Sequence, residues 1–154
     1  MQYNYSQLLK LSKLELINIV VNESIGVIKN AKDVNKFFHN FSGLINNWNK
    51  EHFVVLCLNS NNSVIHAEVV TMGVLNSSLV HPREVFNVIF ATPGTNSFII
   101  AHNHPSGNPN PSDEDISATN NIKAAAEIMG IKLLDHLIFT KFGDFYSLLE
   151  NDKI

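Results

Sequence analysis

A single cysteine, Cys57, stands among 154 residues, which excludes an internal disulfide and any zinc site built from several thiolates. It lies inside the apolar run Phe53-Val-Val-Leu-Cys-Leu58 and reads as a small buried hydrophobe. Charge is scarce as well. Only 16% of residues are charged, the net charge is −3, and Lys and Arg are scattered, so the basic footprint of a dedicated nucleic-acid binder is missing. No apolar stretch approaches the length of a membrane span. Lys10, Lys13 and Glu15 interrupt the only stretch near the N-terminus that could pass for a secretory core. These absences point to a cytoplasmic protein with no membrane partner. With 45% hydrophobic residues, the chain is long enough for one domain with a real core.

Periodicity divides the chain into alternating elements without repeats. Residues 6–21 place Leu8, Leu11, Leu14 and Ile19 near helical spacing, which predicts a helix packed on the body or on a partner. Asp33 is the expected N-cap of a second helix running to about Trp48, with Phe37, Phe38 and Phe41 on its apolar stripe. Residues 53–58 read as a strand buried on both faces. The cluster Ser60-Asn-Asn-Ser63 turns the chain into a hairpin partner at 64–73. Pro82 opens a helix over 82–90 that Pro93-Gly94 stops, and 98–102 form a short buried strand. A helix is expected over 116–129 with Gly130 just past its end. Strands follow at 131–140 and 144–149, around a Lys141-Phe-Gly143 turn. The order predicts an α/β protein: a mixed β-sheet flanked by helices in three layers.

The chemistry concentrates in His102-Asn-His-Pro-Ser-Gly-Asn-Pro-Asn-Pro-Ser-Asp-Glu-Asp115. Residues i and i+2 of a strand share a side, so strand geometry continued through His104 aims both imidazoles together and sends Asn103 away. Two histidines and a carboxylate suit one zinc ion with a position left open for water, whose pKa zinc lowers towards roughly 7. The stiff loop with its three prolines can swing a helix start back over the strand end, which makes Asp115 the candidate carboxylate. Ser112-x-x-Asp115 by itself reads as a capping box. Capping and ligation need not exclude each other, because Ser112 can open the helix while Asp115 faces the ion. Amide hydrolysis also needs a group to take and return protons. Glu23, Glu51, Glu68, Glu84, Glu114 and Glu127 are available, and Glu51 is slightly preferred because it begins the buried strand. His39, His52, His66 and His81 are expected at surface or satisfied polar positions; His136 is either a buried, hydrogen-bonded residue near the site or, the favoured reading, structural.

Several blocks in order resemble one bacterial family. Glu51-His-Phe-Val-Val-Leu, Gly73-Val-Leu-Asn-Ser-Ser-Leu-Val-His-Pro-Arg-Glu-Val-Phe, His102-Asn-His-Pro-Ser-Gly with Pro111-Ser-Asp-Glu-Asp-Ile, and Leu134-Asp-His look like the RadC family, over roughly residues 32–150. RadC proteins carry a JAB/MPN domain with the JAMM metal motif. The resemblance implies a cytidine deaminase-like fold with zinc as cofactor. Metal ligands would be His102, His104 and Asp115, Glu51 the acid that activates water, and Ser112 a hydroxyl that stabilises the oxyanion. It divides the chain into an N-terminal helical extension at 1–31 and the JAB/MPN domain at 32–154.

The expected activity is zinc-dependent hydrolysis of peptide or isopeptide amide bonds, on a protein or peptide substrate that the residues do not specify. Two alternatives stand beside it: a DNA repair-associated accessory protein, and a non-catalytic interaction domain stabilised by its metal. The DNA reading draws little support, because the thirty or so residues ahead of the domain show no Gly-rich helix-hairpin-helix pair. A deaminase is disfavoured by the lack of paired cysteines.

Overall fold

The computed structural model describes residues 27–40, 47–73 and 80–154. The helix expected at 6–21 lies outside the described residues, as does the stretch 41–46. The elements are α1 (Ala31–Asn40), β1 (Glu51–Leu58), β2 (Val64–Gly73), α2 (Pro82–Ala91), β3 (Ser97–Asn103), α3 (Asp113–Ile128), β4 (Lys132–Phe139) and β5 (Phe145–Ser147).

The five strands form one mixed sheet in the order β2-β1-β3-β4-β5, as the α/β expectation required. The hairpin β1–β2 and the pair β1–β3 are antiparallel, β3–β4 is parallel, and β5 returns antiparallel on β4. A parallel pair needs a long crossover, and here α3 supplies it between β3 and β4. Side-chain alternation then divides the core in two. Val54, Leu56, Ile99, Ala101, Leu137 and Phe139 face α1. Phe53, Val55, Cys57, Phe98 and Ile100 face α2 and α3. Cys57 is buried as expected.

Several boundaries differ from the sequence reading; α3, expected over 116–129, already begins at Asp113, behind its Ser112 cap. The helix expected from Asp33 begins at Ala31, because Asn30 accepts the Asp33 N–H on its side chain at 3.1 Å and so takes the capping role. Asp33 reaches back to accept the Lys29 N–H at 2.9 Å. Trp48 is not helical. It sits in a turn closed by the Lys50 N–H on the Asn47 carbonyl at 3.0 Å, with its ring at right angles to Phe139, 5.9 Å away. The last strand shrinks to Phe145–Ser147, after which Leu148 folds into the core.

Phe38 explains why α1 docks where it does. Fully buried, it stacks on Phe139 of β4 at 4.5 Å, a burial that contributes about 1.5–3 kcal/mol. On α2, His81 accepts the Arg83 N–H at 3.1 Å beside Pro82, so the helix start is capped and preset in φ. Among the described residues no helix is long and apolar enough to cross a membrane.

Candidate metal centre

The end of β3 and the start of α3 bring the motif together. The strand finishes at Asn103, yet the His104 N–H still donates to the Phe139 carbonyl at 2.9 Å, so extended geometry persists one residue further. His102 and His104 therefore project together, and their Nε2 atoms stand 3.0 Å apart. Asp115 enters from α3, with Oδ1 at 3.2 Å from the Nε2 of His102 and Oδ2 at 3.6 Å from that of His104. Ligand atoms held tetrahedrally at zinc distances of 2.0–2.2 Å lie roughly 3.3–3.6 Å from one another, so the trio has the size of a metal site. Among the described residues these three are the group of His, Cys, Asp and Glu side chains able to hold an ion.

The capping box aims the carboxylate. The Ser112 N–H and O–H both donate to Asp115 Oδ2, at 2.8 and 2.6 Å, while Ser112 Oγ accepts the Asp115 N–H at 3.1 Å. With Oδ2 so engaged, Oδ1 is turned towards His102. Capping and ligation thus coexist in one pair of residues. Burial pushes the Asp115 carboxyl upward, but the hydrogen bonds from His102 and His104, the His102 charge and the Ser112 hydroxyl outweigh it, and the group stays well below the usual carboxylate range.

Each imidazole is anchored from behind. The Nδ1–H of His104 donates to the Asn108 carbonyl at 2.8 Å, since a carbonyl can only accept. Burial lowers the proton affinity of His104, yet Asp115, the Asn108 carbonyl and the Glu51 charge together raise it above the ordinary value. His102 is enclosed. Its Nδ1 lies 2.8 Å from the Nε2 of His136, and Phe53 stacks nearly parallel on its ring at 6.0 Å.

Glu51 stands on the same face. The register Phe53↔His102 sets the beginning of β1 beside the end of β3, and two-residue alternation puts Glu51, Phe53 and His102 on the α2–α3 side. Of the other acids, Glu68 is paired with His66 and Glu84 with Arg83 at the surface. Asn103, which points away from the histidine pair, closes the frayed end of the β1–β3 ladder. Its side-chain oxygen accepts the His52 N–H at 2.8 Å and its amide donates to the Lys50 carbonyl at 2.9 Å.

Among the remaining histidines, His66 and His81 hold polar partners as expected. His39, stacked on Trp48 with its Nε2 buried and unpartnered, departs from that expectation, and so does His52. It is buried with Nδ1 on the Lys50 carbonyl at 2.9 Å, while its Nε2 has no partner. His136, expected to be structural, packs directly behind His102. The sequence leaves open such a buried, hydrogen-bonded place near the site for it; Asn103 and Thr119 are the neighbours that residue-by-residue reading missed. The signal for His136 was a lone imidazole in the apolar strand Leu133–Phe139, where a buried polar group must find a partner.

A family model described as "RadC-like JAB domain" matches residues 28–153. A UPF0758 protein of Chlorobium phaeovibrioides is 42% identical over 127 residues, covering 82% of this chain and 55% of the relative. UPF0758 protein YsxA of Bacillus subtilis is 52% identical over 103 residues, 66% of this chain and 43% of its own. A UPF0758 protein of Methanospirillum hungatei is 54% identical over 92 residues, 60% and 40% respectively. The chain thus spans about half the length of the curated relatives it matches.

Proposed function

The chain belongs to the RadC-like JAB domain family, and on that premise we propose that it is a JAMM-type metallohydrolase that cuts peptide or isopeptide amide bonds with zinc held by His102, His104 and Asp115. The observation that carries this reading is the convergence of two imidazole Nε2 atoms and one carboxylate, 3.0–3.6 Å apart, on the sheet face that Glu51 shares. Two borderline nitrogens and one hard oxygen form a donor set that zinc favours.

When bound, zinc supplies a Lewis acid that polarises an amide carbonyl and acidifies water near neutral pH. Glu51 takes the proton of the attacking water and returns it to the nitrogen of the breaking C–N bond, so the products are a carboxylic acid and an amine. Ser112 sits at the N-terminus of α3, where the helix dipole favours negative charge. Its hydroxyl, turned off Asp115, donates to the carbonyl oxygen as charge develops there. With Asp115 and two neutral histidines a divalent ion would leave the site with one positive charge, which the Glu51 carboxylate would balance.

Zinc-loaded protein assayed against peptide and isopeptide libraries tests the proposal. Glu51→Gln is expected to lower turnover by roughly 10²–10⁴-fold while zinc content stays at the wild-type level. A Glu51→Gln protein as active as wild type would overturn the role of Glu51, and zinc-loaded wild type that cleaves no amide would overturn the activity.

A further inference from the structure

Behind His102 lies a line of buried polar groups that ends on another residue of the same site. Thr119 Oγ1 is 2.6 Å from the main-chain carbonyl of Asp115 and 2.5 Å from Nδ1 of His136, and Nε2 of His136 is 2.8 Å from Nδ1 of His102. His102, Thr119 and His136 are each at most 1% exposed, so water does not share these contacts.

Proton counting assigns every hydrogen along the line. The Asp115 carbonyl can only accept, and two oxygens 2.6 Å apart repel unless a hydrogen lies between them, so the single hydroxyl proton of Thr119 points at that carbonyl. Thr119 Oγ1 can then only accept from His136, whose proton must be on Nδ1. His136 is enclosed, with the edge of Phe53 at 5.6 Å and no carboxylate bonded to its ring, which makes it a neutral imidazole with one N–H. Its Nε2 is therefore a bare lone pair that accepts from His102 Nδ1–H. Nδ1 of His102 thus carries a proton, and any proton that Nε2 shares with Asp115 is the one a bound ion would displace, leaving a lone pair on the side where His104 and Asp115 converge.

We infer that Thr119 and His136 are positioning residues that hold His102 in its Nδ1–H tautomer, through a hydrogen-bond chain running from the Asp115 main chain to the His102 ring. The chain joins the two ligands across three elements, α3, β4 and β3. The Asp115 carbonyl, two groups away, thereby sets which nitrogen of His102 is bare. His104 reaches the same state in one step, from the Asn108 carbonyl. A buried imidazole that orients a liganding imidazole fills the outer-shell role that carboxylates or carbonyls commonly take at metal-bound histidines. This inference rests on the metal-centre reading for its consequence, but the tautomer itself is measurable without metal.

The test uses ¹⁵N-labelled protein and long-range ¹H–¹⁵N correlation spectra of its imidazoles, recorded metal-free at alkaline pH, together with zinc affinity by competition with a chelator. Wild type should show His102 and His136 both protonated on Nδ1. Thr119→Val touches neither ligand side chain, yet it removes the acceptor for His136 Nδ1–H. His136 is then expected to switch to Nε2–H and drive His102 into the same tautomer, with zinc affinity about 10–100-fold weaker. Thr119→Ser should behave as wild type. His136→Phe should lose affinity to a similar extent, and His136→Gln should recover most of it, because its amide can accept from His102 and donate to Thr119. His102 found with its proton on Nε2 in the wild type, or wild-type affinity and tautomers in Thr119→Val, would overturn the inference. So would a folded His136→Gln as impaired as His136→Phe, because the role would then be packing. Wild type that binds no zinc but shows Nδ1–H at His102 would overturn the metal reading and support the proton chain.

Discussion

Asn103 grips the main chain on both sides of Glu51: its side chain accepts the N–H of His52 and donates to the carbonyl of Lys50, at 2.8 and 2.9 Å. The residue lies between the two histidines and faces the opposite side of the sheet, so one strand end presents both candidate ligand imidazoles and steadies the main chain around Glu51.

Asn103→Ala should leave the Lys50 carbonyl and the His52 N–H without these partners and destabilise the fold by about 1–3 kcal/mol. The larger effect is expected on turnover, because a displaced Glu51 costs on the order of 10²-fold for a shift of about 1 Å. Zinc content should stay at one ion per chain. Unfolding in denaturant and turnover measured on the same preparations separate the two effects.

Zinc binding should release protons. His104 holds its proton above the ordinary imidazole value of 6.5, so in metal-free protein it carries more proton than a free imidazole at the same pH, and zinc must displace it. The stability this group contributes without metal is full below 6.5 and disappears as pH rises through the folded value. Calorimetry in two buffers of different ionisation enthalpy should therefore give different apparent heats at pH about 7, and affinity should fall with acidification. His102→Ala, His104→Ala and Asp115→Ala should each abolish stoichiometric zinc, read by metal analysis of purified protein.

Gly107→Ala should weaken the site without touching a ligand. Gly107 has φ +82°, where an L side chain is strained by roughly 1–2 kcal/mol, and a Cβ there would lie 3.0 Å from the Phe142 ring. Phe142 is exposed and can give way, but the backbone strain remains. The loop is expected to relax by moving the adjacent Asn108 carbonyl off His104. About tenfold weaker zinc binding should accompany the lower melting temperature, and Phe142→Ala in the same chain should not restore either.

Asp135 provides a pH signature away from the metal. Burial pushes its carboxyl upward, and donation by the Ser147 hydroxyl and the Leu149 and His136 amides does not cancel that push. A folded value above the unfolded one means the folded state binds more protons, so stability declines as pH rises from the ordinary value of 3.8 through the raised one. Asp135→Asn retains the two amide contacts and can donate to Ser147. It should flatten this decline and leave neutral-pH stability equal or higher, whereas Asp135→Ala should cost about 1–3 kcal/mol. Urea unfolding across the acidic range measures both.

Local features were legible in the residues alone. The apolar run at Phe53 to Leu58, the turn at Ser60 to Ser63 and the proline at the start of α2 each specify an element through period or backbone restriction. His-x-His at a strand end and Ser-x-x-Asp at a helix start likewise carry their geometry within a few residues. The start of α1 was misjudged because Asn30 and Asp33 both suit a cap, and only the hydrogen bonds distinguish Ncap from the third helical position.

What the amino-acid order determined by itself was which side chains share a face and which residue types meet in the motif, because strand and helix periods act over two to four residues. Tertiary structure decided the rest. The pairing Phe53↔His102 puts Glu51 on the face of candidate ligands some fifty residues away, and Ile100↔His136 slides a third imidazole behind the first. Strand pairing depends on contacts between distant segments, and no local pattern in a single sequence encodes which apolar run will lie against which. The motif supplied two histidines and a carboxylate, and the sheet register brought Glu51 to the same face and His136 behind His102.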